Sequence, residues 1–330
     1  MRITFFSTQP YDQKTFEEHN KRFGFNIRFL DVQLNEQTAG LARDSDAVCA
    51  FVNDRIGGPI IRQLANAGVK VIALRCAGFN NVDLAAAKET GVKVVRVPAY
   101  SPNAVAEHAV AMILALNRKT HKAYNRIREQ NFSLNGLLGF DLYNKTVGVV
   151  GTGNIGLVFC KIMLGFGCHV LAYDVKPNDE LVSTGVKYAS LDDLFAQSDI
   201  ISLHCPLNEH TRYLINDKAI GMMKDHVMLI NTSRGGLIDT RAVINGLKSG
   251  RIGSLGIDVY EQEEKLFFRD LSESIIEDDV ISRLSSFPNV LITAHQGFFT
   301  SEALAQIAET TLQNLKTFEE RKDLQNEVRI

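Results

Sequence analysis

Residues 146–174 read TVGVVGTGNIGLVFCKIMLGFGCHVLAYD, and this stretch decides the fold. An apolar run leads into three glycines with the spacing G-x-G-x-x-G, Gly151, Gly153 and Gly156, and a helical pattern then leads to a second apolar run. In such a unit the first glycine allows a tight turn, the second lets a pyrophosphate approach the backbone, and the third lets the helix pack on the strand. The N–H groups that begin the helix can bind phosphate. The stretch therefore predicts a dinucleotide-binding βαβ unit.

An acidic residue ends the second apolar run. Asp174 lies 18 residues beyond Gly156, a distance at which a carboxylate accepts hydrogen bonds from the adenosine ribose. The same carboxylate would repel a 2′-phosphate, and the next two residues, Val175 and Lys176, include no arginine. The sequence therefore favours NAD over NADP as the cofactor.

Composition narrows the class of protein. The chain has 330 residues, 45% hydrophobic and 22% charged, as in a globular protein with room for two cores, and its net charge of −2 gives no general attraction to nucleic acid or anionic membranes. The N-terminus turns polar by Ser7, unlike a signal peptide, and no run of about 18 apolar residues predicts a membrane helix. The five scattered cysteines have neither disulfide nor zinc spacing. We therefore expect a cytoplasmic protein with reduced thiols, no metal, and no nucleic-acid or membrane partner.

Residues 1–98 alternate short apolar runs with amphipathic stretches. Short strands separated by helices are typical of a parallel sheet covered on both faces, so we predict a first α/β domain here. Its first strand is not followed by a glycine triplet, so the nucleotide site is expected elsewhere. The predicted strands are Ile3–Phe6, Ile27–Leu30, Val48–Val52, Val69–Leu74 and Val92–Val97, and the amphipathic stretches include Ile60–Ala67 and Val82–Glu89.

Two loops of this region differ from ordinary connections. Residues 75–83, RCAGFNNVD, follow the fourth strand at the end where α/β proteins bind ligands. Their simpler interpretation is a turn in which Asn81 caps the next helix. Residues 97–102, VPAYSP, contain two prolines, which predict a stiff crossing into a second domain.

A long helical pattern runs from Asn103 to Arg126 and has one apolar face. It is too apolar for a free surface helix, so we expect it to pack on the cofactor domain and on another subunit. The pattern favours a homodimer or homotetramer. His108 and His121 lie within it and are expected to be structural.

The alternation resumes after the glycine loop and predicts a second parallel sheet. Its strands end in polar or chemically distinctive residues, so we expect an active-site cleft at those carboxyl ends, between the two domains. The acidic stretch 261–283 is expected to be a solvated loop beyond its first members. The predicted strands are Ile200–His204, Val227–Asn231, Leu255–Val259 and Val290–Thr293, and the predicted helices are Leu191–Gln197, Asp217–Met222 and Thr240–Leu247.

A last helical pattern follows Thr300 and Ser301, either of which can cap it. We expect this helix to return to the first domain and make it discontinuous. The sequence thus predicts two doubly wound parallel-sheet domains. One is a flavodoxin-like substrate domain of residues 1–100 with 299–330, and the other is a Rossmann NAD-binding domain of residues 101–298.

Three residues near the strand ends can supply the chemistry that a nicotinamide enzyme needs. The guanidinium of Arg234 can form two parallel hydrogen bonds to a carboxylate and polarise an adjacent carbonyl. The imidazole of His295 can give a proton during reduction and take it back during oxidation, and Glu263 beside it would favour its charged form. Each has a simpler interpretation: a surface arginine, a solvated glutamate, a satisfied strand-end histidine. Together, beside a dinucleotide site, they favour a dehydrogenase for an acid substrate.

Five motifs in order resemble the D-isomer-specific 2-hydroxyacid dehydrogenases, and the resemblance covers essentially the whole chain. They are GTGNIG at 151–156, HCP at 204–206, NTSRG at 231–235, DVYEQE at 258–263 and AHQ at 294–296. Within that family, four further motifs resemble the bacterial fermentative D-lactate dehydrogenases. They are FVND at 51–54, RCAGFNNVD at 75–83, VPAYSP at 97–102 and LFF at 266–268.

The resemblance implies a role for each matching residue. Arg234 would bind the substrate carboxylate and carbonyl, His295 would be the acid/base, and Glu263 would orient and charge it. Ala77 and Gly78 would offer backbone N–H groups to the carboxylate, and Tyr100 would line the substrate pocket. The residues implied on the cofactor side are Asn154 and Ile155 at the pyrophosphate, Asp174 at the ribose, Cys205, Pro206 and Thr232 between adenosine and nicotinamide, and Asp258 at the carboxamide.

The chain departs from the family pattern at one place. Many members have proline after the catalytic glutamate, whereas this chain has Glu264, so the three acids Glu261, Glu263 and Glu264 lie close together. Among these three acids, the resemblance assigns the orienting role to Glu263.

The function implied by the resemblance is the NADH-dependent reduction of pyruvate to D-lactate. Phe298 and Phe299, beside His295, would shape a pocket for a small side chain; the simpler interpretation is that they are core aromatics at a domain junction. A dehydrogenase for a larger 2-hydroxy acid remains open, because one or two methylenes change discrimination by only about 1–3 kcal/mol. A noncatalytic NAD-sensing protein is a second alternative, against which the complete set of Arg234, Glu263 and His295 argues.

Overall fold

The computed structural model describes residues 1–329, which divide into two compact units. One unit comprises residues 1–101 with the chain from Phe299 onward, and the other comprises Pro102–Phe298. Each contains a parallel sheet, which confirms the predicted pair of parallel-sheet α/β domains. Within residues 1–329, no helix combines the length and the apolar character that crossing a membrane requires.

The first unit has a five-stranded parallel sheet with the order β2-β1-β3-β4-β5. This is the strand order of a flavodoxin-like sheet. Two of its three interior strands, β3 and β4, are buried along their whole length, as expected where helices cover both faces. The strands are β1 Arg2–Phe5, β2 Asn26–Phe29, β3 Ala47–Ala50, β4 Val71–Leu74 and β5 Lys93–Arg96, and the helices are α1 Pro10–Asn20, α2 Gly58–Asn66, α3 Leu84–Thr90 and, from the C-terminal part of the chain, α12 Ser301–Glu319.

The second unit has a seven-stranded parallel sheet with the order β12-β11-β10-β9-β6-β7-β8. Counted from β6, the first six strands follow the Rossmann order 3-2-1-4-5-6, and the seventh extends one edge. The strands are β6 Thr146–Val150, β7 His169–Tyr173, β8 Lys187–Tyr188, β9 Ile200–Leu203, β10 Val227–Asn231, β11 Ile252–Ile257 and β12 Val290–Ile292. The helices are α4 Pro102–Arg118, α5 Thr120–Arg128, α6 Asn154–Gly165, α7 Asp179–Ser183, α8 Leu191–Gln197, α9 Asp217–Met222, α10 Thr240–Ser249 and α11 Asp279–Ser285.

Two apolar cores cover the two faces of the seven-stranded sheet. Successive residues of a strand point to opposite faces, so in β10 the side chain of Leu229 enters one core while Met228 and Ile230 enter the other. The first core includes residues of α8, α9 and α10, and the second includes residues of α4 and α6. Burial on both faces explains why these strands are continuous apolar runs in the sequence.

The prediction of one continuous helix over 103–126 is wrong. Two helices, α4 and α5, meet at Lys119, which has a left-handed φ of 50°. The Lys119 ammonium donates to the carbonyls of Gly136 and Leu138, and the side chain of Asn117 bonds the backbone of Phe140. These contacts tie the end of α4 to the segment that follows α5 and break the helix where no proline or glycine marks it.

The simpler interpretation of residues 75–83 and the predicted loop at 261–283 are also corrected. Asn81 does not cap α3, because its amide donates to the carbonyls of Phe51 and Asp54, whereas the Asp83 side chain accepts from the N–H of Ala86 and caps the helix. The acidic stretch 261–283 is not wholly a loop, since α11 begins within it and is capped by Asp278.

The glycine loop after β6 has the geometry that its spacing predicts. Gly151 has a φ of 94°, and a side chain there would collide with the backbone of His204 and Cys205. A Cβ on Gly156 would lie on the carbonyl oxygen of Gly151, so only glycine lets α6 approach this loop. A Cβ on Gly153 would have no described neighbour within 4 Å, so this position is open.

The substitution Gly156→Ala tests this packing. The added methyl group overlaps backbone rather than a movable side chain, so we expect a loss of about 1–3 kcal/mol in the free energy of unfolding, together with weaker NADH binding. The matched control is Gly165→Ala in the same helix, where a Cβ meets nothing described within 4 Å and alanine is expected to stabilise by up to about 1 kcal/mol. Urea denaturation of both variants measures the difference, and equal stabilities would contradict the packing account.

Candidate active site

The candidate catalytic residues follow three adjacent strands of the seven-stranded sheet. Arg234 follows β10, Glu263 follows β11 and His295 follows β12, and these strands are neighbours. Because all the strands are parallel, their carboxyl ends share one edge. Residues separated by 61 positions in the chain are therefore gathered at one side of this unit.

His295 and Glu263 form a hydrogen-bonded pair. The imidazole Nδ1 lies 2.9 Å from Glu263 Oε1, and the two side chains are only 16% and 19% exposed. The other oxygen of Glu263 accepts the backbone N–H of Tyr260 at 3.0 Å, which fixes the carboxylate. Of the two neighbouring acids, Glu261 accepts from the Thr240 hydroxyl instead. With Nδ1 bound to the carboxylate, Nε2 is the ring nitrogen left to exchange a proton with a substrate.

The buried carboxylate of Asp258 builds the turn that presents His295. One oxygen accepts the Thr293 hydroxyl at 2.5 Å and the N–H of Gln296 at 2.9 Å, and the other accepts the N–H of Gly297 at 2.8 Å. The Asp258 carbonyl accepts the N–H of His295 at 2.7 Å. His295 itself has a left-handed φ of 54°, a strained conformation for a non-glycine residue. These hydrogen bonds hold the strained turn in place.

His108 of α4 supports Asp258 from behind. Its Nε2 lies 3.1 Å from the Thr293 hydroxyl and 3.4 Å from Asp258 Oδ1. Burial opposes ionisation of Asp258, but the hydrogen bonds from His108, Thr293 and the Gln296 N–H outweigh it and hold the pKa of the carboxyl below its usual value. The carboxylate is therefore charged, and both of its oxygens accept protein donors.

Arg234 is half-buried at the start of a short 3-10 turn, Gly235–Leu237. Its carbonyl accepts from the amide of Asn231, and its Nη1 donates to the carbonyl of Ser233 at 2.6 Å. A Cβ on Gly235 would overlap the backbone of Tyr260 and Glu261, so the arginine turn packs closely against the segment leading to Glu263. Gly235 thus allows the segment after β10 and the segment after β11 to pack closely together.

The glycine loop provides a surface that fits a dinucleotide. Asn154 and Ile155 begin α6. The residue before them is Gly153, so no side chain caps the N–H groups at the start of this helix. The Thr232 hydroxyl is buried without a hydrogen-bond partner among the described residues, as expected for a group that meets a bound ligand. Asp174 is half-buried at the end of β7. These features are compatible with a pyrophosphate at α6 and a ribose at Asp174.

The HCP motif follows β9 beside the same loop. Burial lowers the pKa of His204 to about 3, so its imidazole is neutral, and Nε2 lies 2.8 Å from the Ser202 hydroxyl. Burial raises the pKa of the Cys205 thiol to about 11, so the thiol stays protonated. The carbonyl of Pro206 accepts from the Thr211 hydroxyl at 2.6 Å. The side chains of this motif are therefore uncharged.

The predicted substrate loop of the first unit starts at a buried arginine. The Arg75 Nη2 donates to the Ser7 carbonyl at 2.7 Å and lies 3.4 Å from Asp12 Oδ2. Ala77 and Gly78 follow, with carbonyls that accept from Arg96 and the Cys76 thiol. The remaining predicted residues are Tyr100, half-buried in the loop before α4, Phe298, buried in the second unit, and Phe299, 49% exposed in the first unit with its ring centroid 4.7 Å from that of Tyr11.

Sequence reasoning missed the residues that support the site. Thr293, Gln296 and Gly297 carry no chemical signal, and His108 was expected only to be structural. The available signal was that Asp258 lies at the end of one predicted strand and the AHQ motif at 294–296 directly follows another. Neither position alone shows that the two segments meet.

Comparison with known proteins identifies the class. Residues 110–297 match the model of the D-isomer-specific 2-hydroxyacid dehydrogenase NAD-binding domain. With the Rossmann sheet and the open glycine loop, this match defines an NAD-dependent dehydrogenase.

Relatives cover the full length of the chain. The D-lactate dehydrogenase of Escherichia coli is 53% identical over 99% of this chain and 100% of its own. The structure of the pyruvate reductase of Chlamydomonas reinhardtii has a TM-score of 0.95 at 49% identity, covering 99% of this chain and 98% of that one. The D-lactate dehydrogenase of Lactobacillus jensenii, solved with NAD+, has a TM-score of 0.83 at 32% identity, with both chains fully covered. The chain belongs to the D-isomer-specific 2-hydroxyacid dehydrogenase family.

Proposed function

We propose that this protein is a D-lactate dehydrogenase that reduces pyruvate to D-lactate with NADH. The observation that carries the proposal is the 2.9 Å contact between His295 and Glu263 at the strand edge that also presents Arg234. The 53% identity with the D-lactate dehydrogenase of Escherichia coli supports the choice of substrate and product stereochemistry.

Arg234, His295 and Glu263 each have a separate role in the proposed reaction. Arg234 binds the carboxylate through two hydrogen bonds and stabilises the negative charge that develops on the carbonyl oxygen. His295 donates the proton from Nε2 to that oxygen, and Glu263 orients the imidazole and favours its charged form. NADH, when bound, supplies the hydride that reduces the carbonyl carbon. In the reverse direction His295 accepts the hydroxyl proton.

The cofactor would be held by the loop and strand ends of the second unit. Gly151, Gly153 and Gly156 shape the loop, Asn154 and Ile155 offer backbone N–H groups to the pyrophosphate, and Asp174 accepts from the ribose. Cys205, Pro206 and Thr232 would line the path towards the nicotinamide. Asp258 is assigned to the carboxamide, although its oxygens already accept three donors, so its larger contribution is to hold the His295 turn.

The first unit is proposed as the substrate domain. Ala77 and Gly78 would offer N–H groups to the carboxylate, and Tyr100 would line the pocket. Phe298 would limit the size of the substrate side chain and so favour the methyl group of pyruvate. A preference for a larger 2-oxo acid would keep the same mechanism, because the catalytic residues contact only groups that all 2-oxo acids share.

The cysteines fit a protein that works in a reducing cytoplasm. All five are buried, and none forms a disulfide within the described residues 1–329. Burial raises the pKa of Cys49 and Cys160 to about 12, so their thiols are protonated and unreactive. We extend the proposal to a cytoplasmic location on this basis.

An apolar surface is proposed as the contact with a second copy of this chain. None of the residues of α5 is buried, although Tyr124 and Ile127 are apolar, and the segment after it exposes further large apolar side chains. These side chains lie within 20 residues of one another in the chain, and exposed apolar patches often mark contacts between proteins. We call it the 124–143 surface, formed by Tyr124, Ile127, Phe132, Leu134, Leu138 and Tyr143, which are 55–88% exposed.

Replacing His295 by Gln tests the catalytic assignment. Glutamine cannot donate a proton as imidazolium does, so kcat for pyruvate should fall about 10²- to 10⁴-fold while NADH still binds. NADH oxidation at 340 nm measures turnover with pyruvate, 2-oxobutyrate and 2-oxoisocaproate, and chiral chromatography identifies the lactate formed. Glu209→Gln, an exposed acid in the same unit, is the control.

The outcomes separate the alternatives. Fastest turnover with pyruvate, D-lactate as product and a large loss in the variant support the proposal. Fastest turnover with 2-oxoisocaproate would show that the proposed substrate is wrong, while the proposed mechanism would still hold. NADH binding without turnover of any 2-oxo acid would contradict the enzyme proposal and favour a noncatalytic NAD-binding protein.

Replacing Leu138 by Glu tests the proposed oligomer. Leu138 is 88% exposed, so a charge there should not disturb the monomer but should weaken an apolar interface. Light scattering coupled to size-exclusion chromatography should show a multiple of 36.6 kDa for the unmodified protein and a shift towards 36.6 kDa for the variant. Ile275→Glu, at a 93% exposed residue outside this surface, should change nothing. A monomeric unmodified protein would contradict the proposal.

A further inference from the structure

A chain of hydrogen bonds runs into the carboxylate of Asp174 from the edge of the sheet. The backbone N–H of Asn178 donates to the Tyr188 hydroxyl at 2.8 Å, and this hydroxyl donates to the Thr152 hydroxyl at 2.9 Å. The Thr152 hydroxyl lies 3.2 Å from Asp174 Oδ2, which also accepts the Thr152 N–H at 2.6 Å. These hydrogen bonds thus link β8, the glycine loop and the end of β7.

The direction of every bond in this chain is fixed. A backbone N–H can only donate, so the Tyr188 oxygen accepts from Asn178 and its own proton is free to point to Thr152. An ionised carboxylate can only accept, so the Thr152 proton points to Asp174. Each hydroxyl therefore accepts one bond and donates another, an arrangement in which neighbouring bonds strengthen each other.

The same contacts determine which part of Asp174 remains available. Two donors of Thr152 occupy Oδ2, and the N–H of Lys176 donates to Oδ1 at 3.0 Å. A carboxylate has about four acceptor positions, so one position remains, and it is on Oδ1. The protein thus fixes the plane of the carboxylate and leaves one oxygen for an incoming hydroxyl.

Topology explains why Tyr188 reaches this site. In the sheet, β8 pairs with β7, with Tyr188 opposite Ala172. Tyr188 therefore lies at the carboxyl end of β8 beside the end of β7, where Asp174 follows. Its ring packs against the core that contains α6, and Thr152 is only 3% exposed. The two hydroxyls are therefore held rigidly enough to orient their neighbour.

We propose that Thr152 and Tyr188 are positioning residues that fix the Asp174 carboxylate for the adenosine ribose and so set the affinity and preference for NADH over NADPH. The inference rests on the proposed ribose contact of Asp174. Neither hydroxyl touches the reacting atoms, so their effect is on cofactor binding rather than on proton or hydride transfer.

A double-mutant cycle tests this proposal. Tyr188→Phe keeps the ring, and Thr152→Val keeps the shape and the backbone N–H bond, so each removes only a hydroxyl. Loss of one such bond should raise the NADH Kd about three- to tenfold, and the double variant should be no weaker than the weaker single variant, because either change breaks the same chain. Thr152→Ser, which keeps the hydroxyl, is the matched control and should bind NADH as the unmodified protein does.

Two readouts distinguish positioning from a general structural effect. The NADPH Kd should change less than about twofold in Tyr188→Phe, since the carboxylate keeps its charge, and kcat at saturating NADH should change less than about twofold. In an Asp174→Ala background, which itself weakens NADH, adding Tyr188→Phe should have no further effect. NADH fluorescence titration and steady-state kinetics measure these quantities.

Several outcomes would overturn the proposal. Unchanged NADH affinity in both single variants, or independent effects that multiply in the double variant, would show that the hydroxyls do not act through Asp174. Unchanged NADH affinity in Asp174→Ala would remove the ribose contact on which the inference rests. If the cycle behaves as expected but pyruvate is not reduced, only the proposed substrate is wrong.

Discussion

The organisation of the active site depends on one buried carboxylate. Asp258 accepts three donors from the segment 293–297 and is supported by His108, so it closes a tight turn beyond the last strand. That turn holds His295 in a left-handed conformation and directs Nδ1 to Glu263. Without this turn the buried charge of Asp258 would lose its hydrogen bonds, which would cost free energy. The folded state therefore favours this turn. The protein's own hydrogen bonds thus position the candidate acid/base pair of His295 and Glu263.

The parallel sheet supplies the second constraint. Parallel strands present their carboxyl ends at one edge, so arginine, glutamate and histidine from distant parts of the chain follow neighbouring strands. The glycine loop follows β6 at the same edge, and its three glycines serve three separate purposes: a positive φ, an open approach and a close helix contact. The candidate catalytic residues and the glycine loop are therefore positioned by the same seven-stranded sheet. Family membership agrees with this arrangement.

Much of the fold was predictable because local patterns agree with the tertiary structure. Strand β10 and helices α8 and α9 have the predicted bounds, since apolar runs and caps coincide there. The break at Lys119 was not predictable, because contacts with residues 136–140 impose it. The motifs also indicated Arg234, Glu263 and His295 as candidates. They could not indicate the Asp258 turn or the contacts of Thr152 and Tyr188, because those depend on which segments meet in space.

The central claim is that Glu263 controls the proton given by His295. The most direct measurement is the pH dependence of kcat/KM for pyruvate in Glu263→Gln, with Glu261→Gln as the neighbouring control. Removing the negative charge beside the imidazole disfavours its protonated form, so the decline in activity at high pH should begin at lower pH in Glu263→Gln and stay in place in Glu261→Gln. An unchanged profile in Glu263→Gln, or an equal shift in both variants, would contradict the account.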